Sequence, residues 1–140
     1  MRAGFDGLAA RTAKLDAVPD VKQSRSLYRI RPRIRVLRRE DIVIGPGKAD
    51  LLEAIGRTSK LRDAARELGM SYMRAWSLVR TMNRTFRRPL VKAERGGAHH
   101  GRALLTPTGR AVLALYREME SSSREAVKSA WGRLRRLLAK

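Results

Sequence analysis

The sequence predicts a mainly α-helical fold with a small β component, and three observations carry that expectation. Two short helical patterns meet at Gly69. A glycine-rich segment, Gly96-Gly97-Ala98-His99-His100-Gly101, separates two short β-patterned runs. A helical pattern then follows Thr106-Pro107 to the end of the chain. At 140 residues the chain supports one domain with a modest core, plus extensions.

Residues 1–32 mix Gly, Ala, Arg, Lys and Asp without sustained periodicity. They are expected to form a flexible basic arm, with a short helix near Leu8 to Leu15. From Arg33 the pattern changes. Ile34, Val36 and then Ile42, Val43 and Ile44 suggest two short strands around the charged turn Arg38-Arg39-Glu40-Asp41. Gly45-Pro46-Gly47 breaks the chain, and Lys48 to Gly56 forms a helix burying Leu51, Leu52 and Ile55. Thr58 or Ser59 can cap the next helix. There Leu61, Ala64, Ala65 and Leu68 follow the i, i+3, i+4, i+7 spacing of a one-faced helix. Gly69 ends it, and Ser71 caps a second helix running to Arg88.

On a wheel of about 100° per residue, Tyr72, Ala75, Trp76, Val79, Met82, Asn83 and Phe86 share one arc of that second helix. They are expected in the core, Trp76 included, rather than as a base-stacking platform. Met73, Arg74, Ser77, Arg80, Thr81, Arg84, Thr85, Arg87 and Arg88 fill most of the remaining surface, without a carboxylate. The charge elsewhere agrees. The 32 Lys and Arg against 13 acids leave +19, which implies a polyanionic partner, nucleic acid before membrane. Between Glu67 and Glu118 the only acid is Glu94, whereas the preceding helices keep Asp50, Glu53, Asp63 and Glu67. A helix with one buried and one basic face suits the DNA major groove, whose acceptors Arg can read.

After Pro89, Leu90 to Arg95 reads as a strand and Arg102 to Leu105 as its return. A glycine-rich hairpin directly after a helix-turn-helix is a wing, able to lie close along a sugar-phosphate backbone. Thr106-Pro107 starts a long helix by the N-cap and proline-at-N1 rule. Along it Val112, Tyr116, Met119, Ser123, Ala126, Ala130, Leu134 and Leu137 are spaced mostly by fours and threes, interrupted at Ser121-Ser122-Ser123. That seam favours a homodimer over a helix folded back on its own domain. The expected whole is a winged helix-turn-helix with a long C-terminal helix: 33–106 for DNA binding, 107–140 for dimerisation.

Ser71, Met73, Arg74 and Ser77 occupy the first turns of the recognition helix and are the candidates for base-edge contact. Arg80, Thr81 and Arg84 lie further along the same face and suit phosphates. Lys60 can reach backbone from the preceding helix, and Arg95, His99, His100 and Arg102 belong to the wing. Other chemistries find little support. With no cysteine there is no disulfide, thiolate zinc site or cysteine nucleophile. Gly45-Pro46-Gly47-Lys48-Ala49 lacks the leading glycine of a phosphate loop, and Ala49 replaces its hydroxyl, so a helix-start turn is expected. Adjacent His99 and His100 without a third ligand make a poor metal site. No Ser-His-Asp or paired-carboxylate arrangement suggests an enzyme, and no cofactor is implied.

No apolar run approaches the 18 or so residues of a membrane span, and the N-terminus lacks the apolar core of a signal peptide. A cytoplasmic, nucleoid-associated protein bound to double-stranded DNA is the expectation. The alternatives are a sequence-tolerant nucleoid-type binder and an RNA- or ribosome-associated basic protein, for which the few aromatics offer little stacking surface.

The ordered set Leu51-Leu52-Glu53-Ala54-Ile55, Ala64-Ala65-Arg66-Glu67-Leu68-Gly69-Met70-Ser71-Tyr72, Ala75-Trp76 and Met82-Asn83 resembles the N-terminal domain of ModE-type transcriptional regulators. Pro89-Leu90-Val91, Gly96-Gly97 and Leu105-Thr106-Pro107-Thr108-Gly109 continue the resemblance, which covers roughly residues 33 to 120. It implies a winged helix-turn-helix, a bacterial or archaeal regulator, and a dimer formed partly through the long helices. Two departures accompany it. Full-length members carry a C-terminal molybdate-binding region, and this chain is expected to be a short form without one, so molybdate sensing is not carried over. His99 and His100 also stand where family wings are often richer in glycine.

Overall fold

The computed structural model describes residues 27–94 and 101–139. The expected helix near Leu8 to Leu15, most of the 1–32 arm, and Arg95, His99 and His100 lie outside the described residues. The described residues fall into two compact units. One is Pro32–Glu125, and the other comprises 27–31 and 126–139.

The larger unit opens with an antiparallel hairpin, β1 (Val36–Arg38) and β2 (Asp41–Ile44), turned at Arg39 in the left-handed region with φ 56°. Helix α1 (Pro46–Thr58) follows, with Gly45 at its N-cap and Pro46 where a missing N–H costs nothing. It runs beyond the Lys48–Gly56 span at both ends. Leu51, Leu52, Ala54 and Ile55 are fully buried along it.

Neither Thr58 nor Ser59 caps the next helix. Ser59 closes α1 in the left-handed conformation, its N–H donating to the Ile55 carbonyl at 2.9 Å. The Thr58 hydroxyl donates back to the Ala54 carbonyl at 2.8 Å. Lys60 therefore takes the N-cap of α2 (Leu61–Glu67) without a side-chain cap bond. The end of α2 follows its sequence more closely. Gly69 adopts φ +65°, the Gly69 N–H donates to Arg66 O at 3.1 Å, and the Met70 N–H donates to Ala65 O at 3.0 Å. This is a Schellman closure, which a glycine accepts without a Cβ penalty.

Ser71 then caps α3 (Tyr72–Thr85) by accepting the Arg74 N–H at 3.1 Å. Helix α3 stops short of Arg88, with Phe86 already extended. Strands β3 (Val91–Glu94) and β4 (Arg102–Leu105) pair antiparallel, Val91 opposite Leu105 and Glu94 opposite Arg102. Helix α4 (Pro107–Arg135) begins at Thr106, whose hydroxyl accepts the Gly109 N–H at 2.9 Å and donates to Pro89 O at 2.7 Å. Gly109 is required there. A Cβ would stand 2.0 Å from the Leu90 carbonyl oxygen.

The seam along α4 does not form one uncovered face. In the larger unit Tyr116 is buried and donates to Ile34 O at 2.8 Å, Val112 packs partly against the core, and Met119 is exposed. In the smaller unit Ala126, Ala130 and Leu134 are exposed. Leu137 lies past the helix end in a closing turn. A helix with more apolar positions than a small domain can cover buries those nearest its own core.

Candidate nucleic-acid interface

Helix α3 is divided by burial as by chemistry. Ala75, Val79 and Met82 are buried, while Ser71, Met73, Arg74, Ser77, Arg80, Thr81 and Arg84 are all exposed. At about 100° per residue, Met73 to Arg84 of this exposed set span an arc of about 120°. Four residues of the expected buried arc are less enclosed. Tyr72 is exposed, and Trp76, Asn83 and Phe86 are only partly buried; Tyr72 and Trp76 line a groove beside the β3–β4 hairpin. Among the described residues, no carboxylate forms an ion pair with any arginine of α3. Thr81 spends its hydroxyl hydrogen on the Ser77 carbonyl at 3.0 Å, so donation to a phosphate requires turning it away.

Asn83 ties this helix to the hairpin. Its carboxamide oxygen accepts the Leu90 N–H at 2.9 Å and the Val91 N–H at 3.1 Å, and its nitrogen donates to Val91 O at 2.9 Å. One side chain thus serves three backbone groups that cannot join the short ladder. The sequence placed Asn83 on the inward arc without a reason; an amide among apolar neighbours was the available signal.

The strand Arg102–Leu105 is anchored a second time. The Ala103 N–H donates to Ser59 O at 3.0 Å, and Lys60 pairs with Arg102 in an isolated antiparallel bridge. Residues opposed across such a bridge carry their side chains on the same face. Lys60 and Arg102, both exposed and far apart in sequence, are therefore neighbours.

Other cations are occupied by the scaffold. Arg117 on α4 meets Asp50 at 2.8 Å and Glu53 at 3.2 Å, both on α1, and Glu120 at 2.9 Å. Burial is the largest single influence and pulls its guanidinium down. Hydrogen bonds to Asp50 and Glu120, with the charges of Glu53 and Glu120, outweigh burial and raise it overall. Arg57 pairs with Glu67 at 2.8 Å. Lys48 donates to the Ile42 carbonyl inside the first hairpin, and burial lowers its ammonium pKa against the opposing pull of Asp41. It is a strut of the helix-start turn rather than a phosphate ligand.

Among the described residues, no group of three or more His, Cys, Asp or Glu is arranged to hold a metal ion. No helix among them is long and apolar enough to cross a membrane.

No protein-family model matches the chain. It is 40% identical over 94 residues, 67% of its length, to the molybdenum-pterin-binding protein MopB of Rhodobacter capsulatus, covering 35% of that protein. It is 39% identical over 77 residues, 55% of its length, to the molybdenum transport protein ModE of Azotobacter vinelandii, covering 28% of it. To the DNA-binding transcriptional dual regulator ModE of Escherichia coli K12 it is 32% identical over 71 residues, 51% of its length and 27% of that protein. The chain thus spans about a third of the length of the curated relatives it matches. Its homologues are ModE regulators and molybdenum-pterin-binding proteins.

Proposed function

We propose that this chain is a DNA-binding transcriptional regulator of the winged helix-turn-helix type. Helix α3 is its recognition helix and the β3–β4 hairpin its wing. The observation that carries this reading is the exposed, carboxylate-free face of α3, backed by a buried face that holds the helix rigid. Such a face fits a major groove lined with acceptors and flanked by phosphates. Similarity to a DNA-binding regulator supports the same reading.

In this assignment Ser71, Met73, Arg74 and Ser77 meet base edges. Arg80, Thr81 and Arg84 meet phosphates, as do the neighbouring Lys60 and Arg102. Arg95, His99 and His100 are assigned to the DNA contact as well. The protein acts as a homodimer paired through the exposed positions of α4, which would set two recognition helices about 34–36 Å apart, one turn of DNA. It has no catalytic role and works in the cytoplasm on the nucleoid.

Selection of preferred sites from random duplex DNA tests the reading. An enriched, two-fold-related motif is expected. Binding that favours no sequence would point to a nucleoid-type protein, and equal affinity for structured RNA would point to an RNA-associated one. On the preferred duplex, six to ten phosphate contacts should cost roughly 10³–10⁵ in affinity as salt rises from about 50 to about 200 mM. A flat response would overturn the electrostatic basis. Arg74→Ala should relax preference at one base pair, by about 1–3 kcal/mol if the contact is bidentate. Sedimentation on and off that duplex checks the dimer.

A further inference from the structure

Between α3 and the β3–β4 hairpin lies an apolar groove of about 250 Å³, lined by Tyr72, Met73, Trp76 and Ala93 among others, with Glu94 and Arg102 as its charged members. Two of its lining residues are large apolar side chains left in solvent, Met73 69% exposed and Tyr72 47% exposed. Both belong to the first turn of α3, immediately after the Ser71 cap. Met73 has an unusual neighbourhood. On the helical wheel it falls between Arg80 and Arg84, near the Arg80 end of the basic arc, with Ser77 close beside it. A solvated basic face gains nothing from an uncovered thioether set between two of its arginines. An apolar partner that arrives together with negative charge accounts for both.

Resting on the recognition-helix reading above, we propose that Met73 reads the C5-methyl group of thymine, with the adjoining groove as the apolar wall that keeps this contact dry. The thymine methyl is the one apolar group on the major-groove edges of the four base pairs, and phosphates flank it on either side. Arg80 and Arg84 supply the complementary charge. Methionine suits the task because its unbranched, polarizable side chain adapts to a small apolar knob. A methyl seated against Met73 and the rim of Tyr72 loses water on both sides. Met73 is therefore a specificity-determining residue that favours T·A pairs without a hydrogen bond, beside the guanine-reading role open to Arg74.

Replacing thymine by deoxyuridine removes that methyl and leaves the Watson–Crick and major-groove hydrogen-bonding groups in place. The preferred duplex is prepared with each thymine replaced in turn and titrated with the whole protein. At the contacted position the wild type should lose about four-fold in affinity, the burial of one methyl. Met73→Ala should bind the thymine and deoxyuridine duplexes equally, with an unchanged melting temperature because the side chain is exposed. The proposal is overturned if the wild type binds all the duplexes alike. It is also overturned if Met73→Ala stays as sensitive as the wild type. If Met73→Ala binds the thymine duplex as tightly as the wild type does, the groove serves another occupant, a small apolar molecule or a peptide, and the proposal again falls. Failure of the wild type to bind any duplex would instead overturn the DNA-binding reading, and this inference with it.

Discussion

Arg117 on α4 and Arg80 on α3 are the same residue type on two amphipathic helices, both within the larger unit, yet their surroundings differ completely. Arg117 is enclosed by Asp50, Glu53 and Glu120, which bind α4 to α1. Arg80 stands exposed among Met73, Ser77, Thr81 and Arg84, and among the described residues it has no ion-pair partner. An enclosed cation spends its charge on architecture. A row of uncompensated cations raises the potential of one face, at the cost of mutual repulsion that only an anionic partner relieves. The same side chain therefore carries opposite meanings, and the placement of carboxylates decides between them.

The buried edge of α3 should show the largest effect on stability. Trp76→Ala is expected to cost about 3 kcal/mol, the low end for an aromatic truncation because Trp76 is only partly buried. Urea unfolding measures it. An unchanged midpoint together with lost DNA binding would put Trp76 on the partner-facing side and break the division of this helix into two faces.

Asn83→Ala tests whether the two faces owe their geometry to one amide. Removing it strands the Leu90 and Val91 N–H groups and the Val91 carbonyl, at a cost of about 1–3 kcal/mol. Amide exchange should rise first in β3. Uniform exchange throughout the unit would mean that the hairpin is held elsewhere.

The two arginines can be set against each other directly. Arg117→Ala should lower stability by about 1–2 kcal/mol, discounted because the cluster is partly solvated, and leave the salt dependence of duplex binding unchanged. Arg80→Ala should change stability by less than about 0.5 kcal/mol and weaken all sequences alike, lowering the salt slope by about one. Crossed results, with stability lost at Arg80 or affinity lost at Arg117 in a folded protein, would dissolve the distinction.

The smallest effect sharpens the scaffold side. Burial raises the Tyr116 pKa, with Glu120 adding to it, and Asp50 opposing the pull of Arg117. A folded pKa above the ordinary value of 10.0 favours the neutral phenol, so this stability is complete below pH 10 and lost as pH rises through the raised value. Comparing unfolding midpoints across and above pH 10 with Tyr116→Phe isolates it, because the variant should lose less. Equal losses would mean that ionisation of this phenol is not linked to folding.

Much of this organisation was legible from short-range pattern. The Ser71 cap, the Gly69 turn, the start of α4 at Thr106-Pro107 and the exposed basic arc all depend on residues a few positions apart, and each is present. The misreadings share one cause. Thr58 and Ser59 have the composition of a cap, but the Ser59 carbonyl is taken by Ala103 of β4 and the Thr58 hydroxyl by α1. Tyr72 has the periodicity of a core residue but lies where the hairpin leaves a groove. The long apolar seam on α4 was read as one surface, whereas Tyr116 is drawn into its own core.

The sequence by itself determined the helices, the Gly69 turn and Ser71 cap that join α2 to α3, and which face of α3 is basic, because helix periodicity and capping depend on neighbours within one or two turns. Only the tertiary structure decided that Lys60 lies beside Arg102, that Asn83 holds β3, and that Arg117 rather than Arg80 is neutralised. Those outcomes join residues from 7 to 67 positions apart. Long-range pairings of this kind are set by how the elements pack, and hydrogen bonding and charge compensation then select which polar groups are satisfied internally and which remain for a partner.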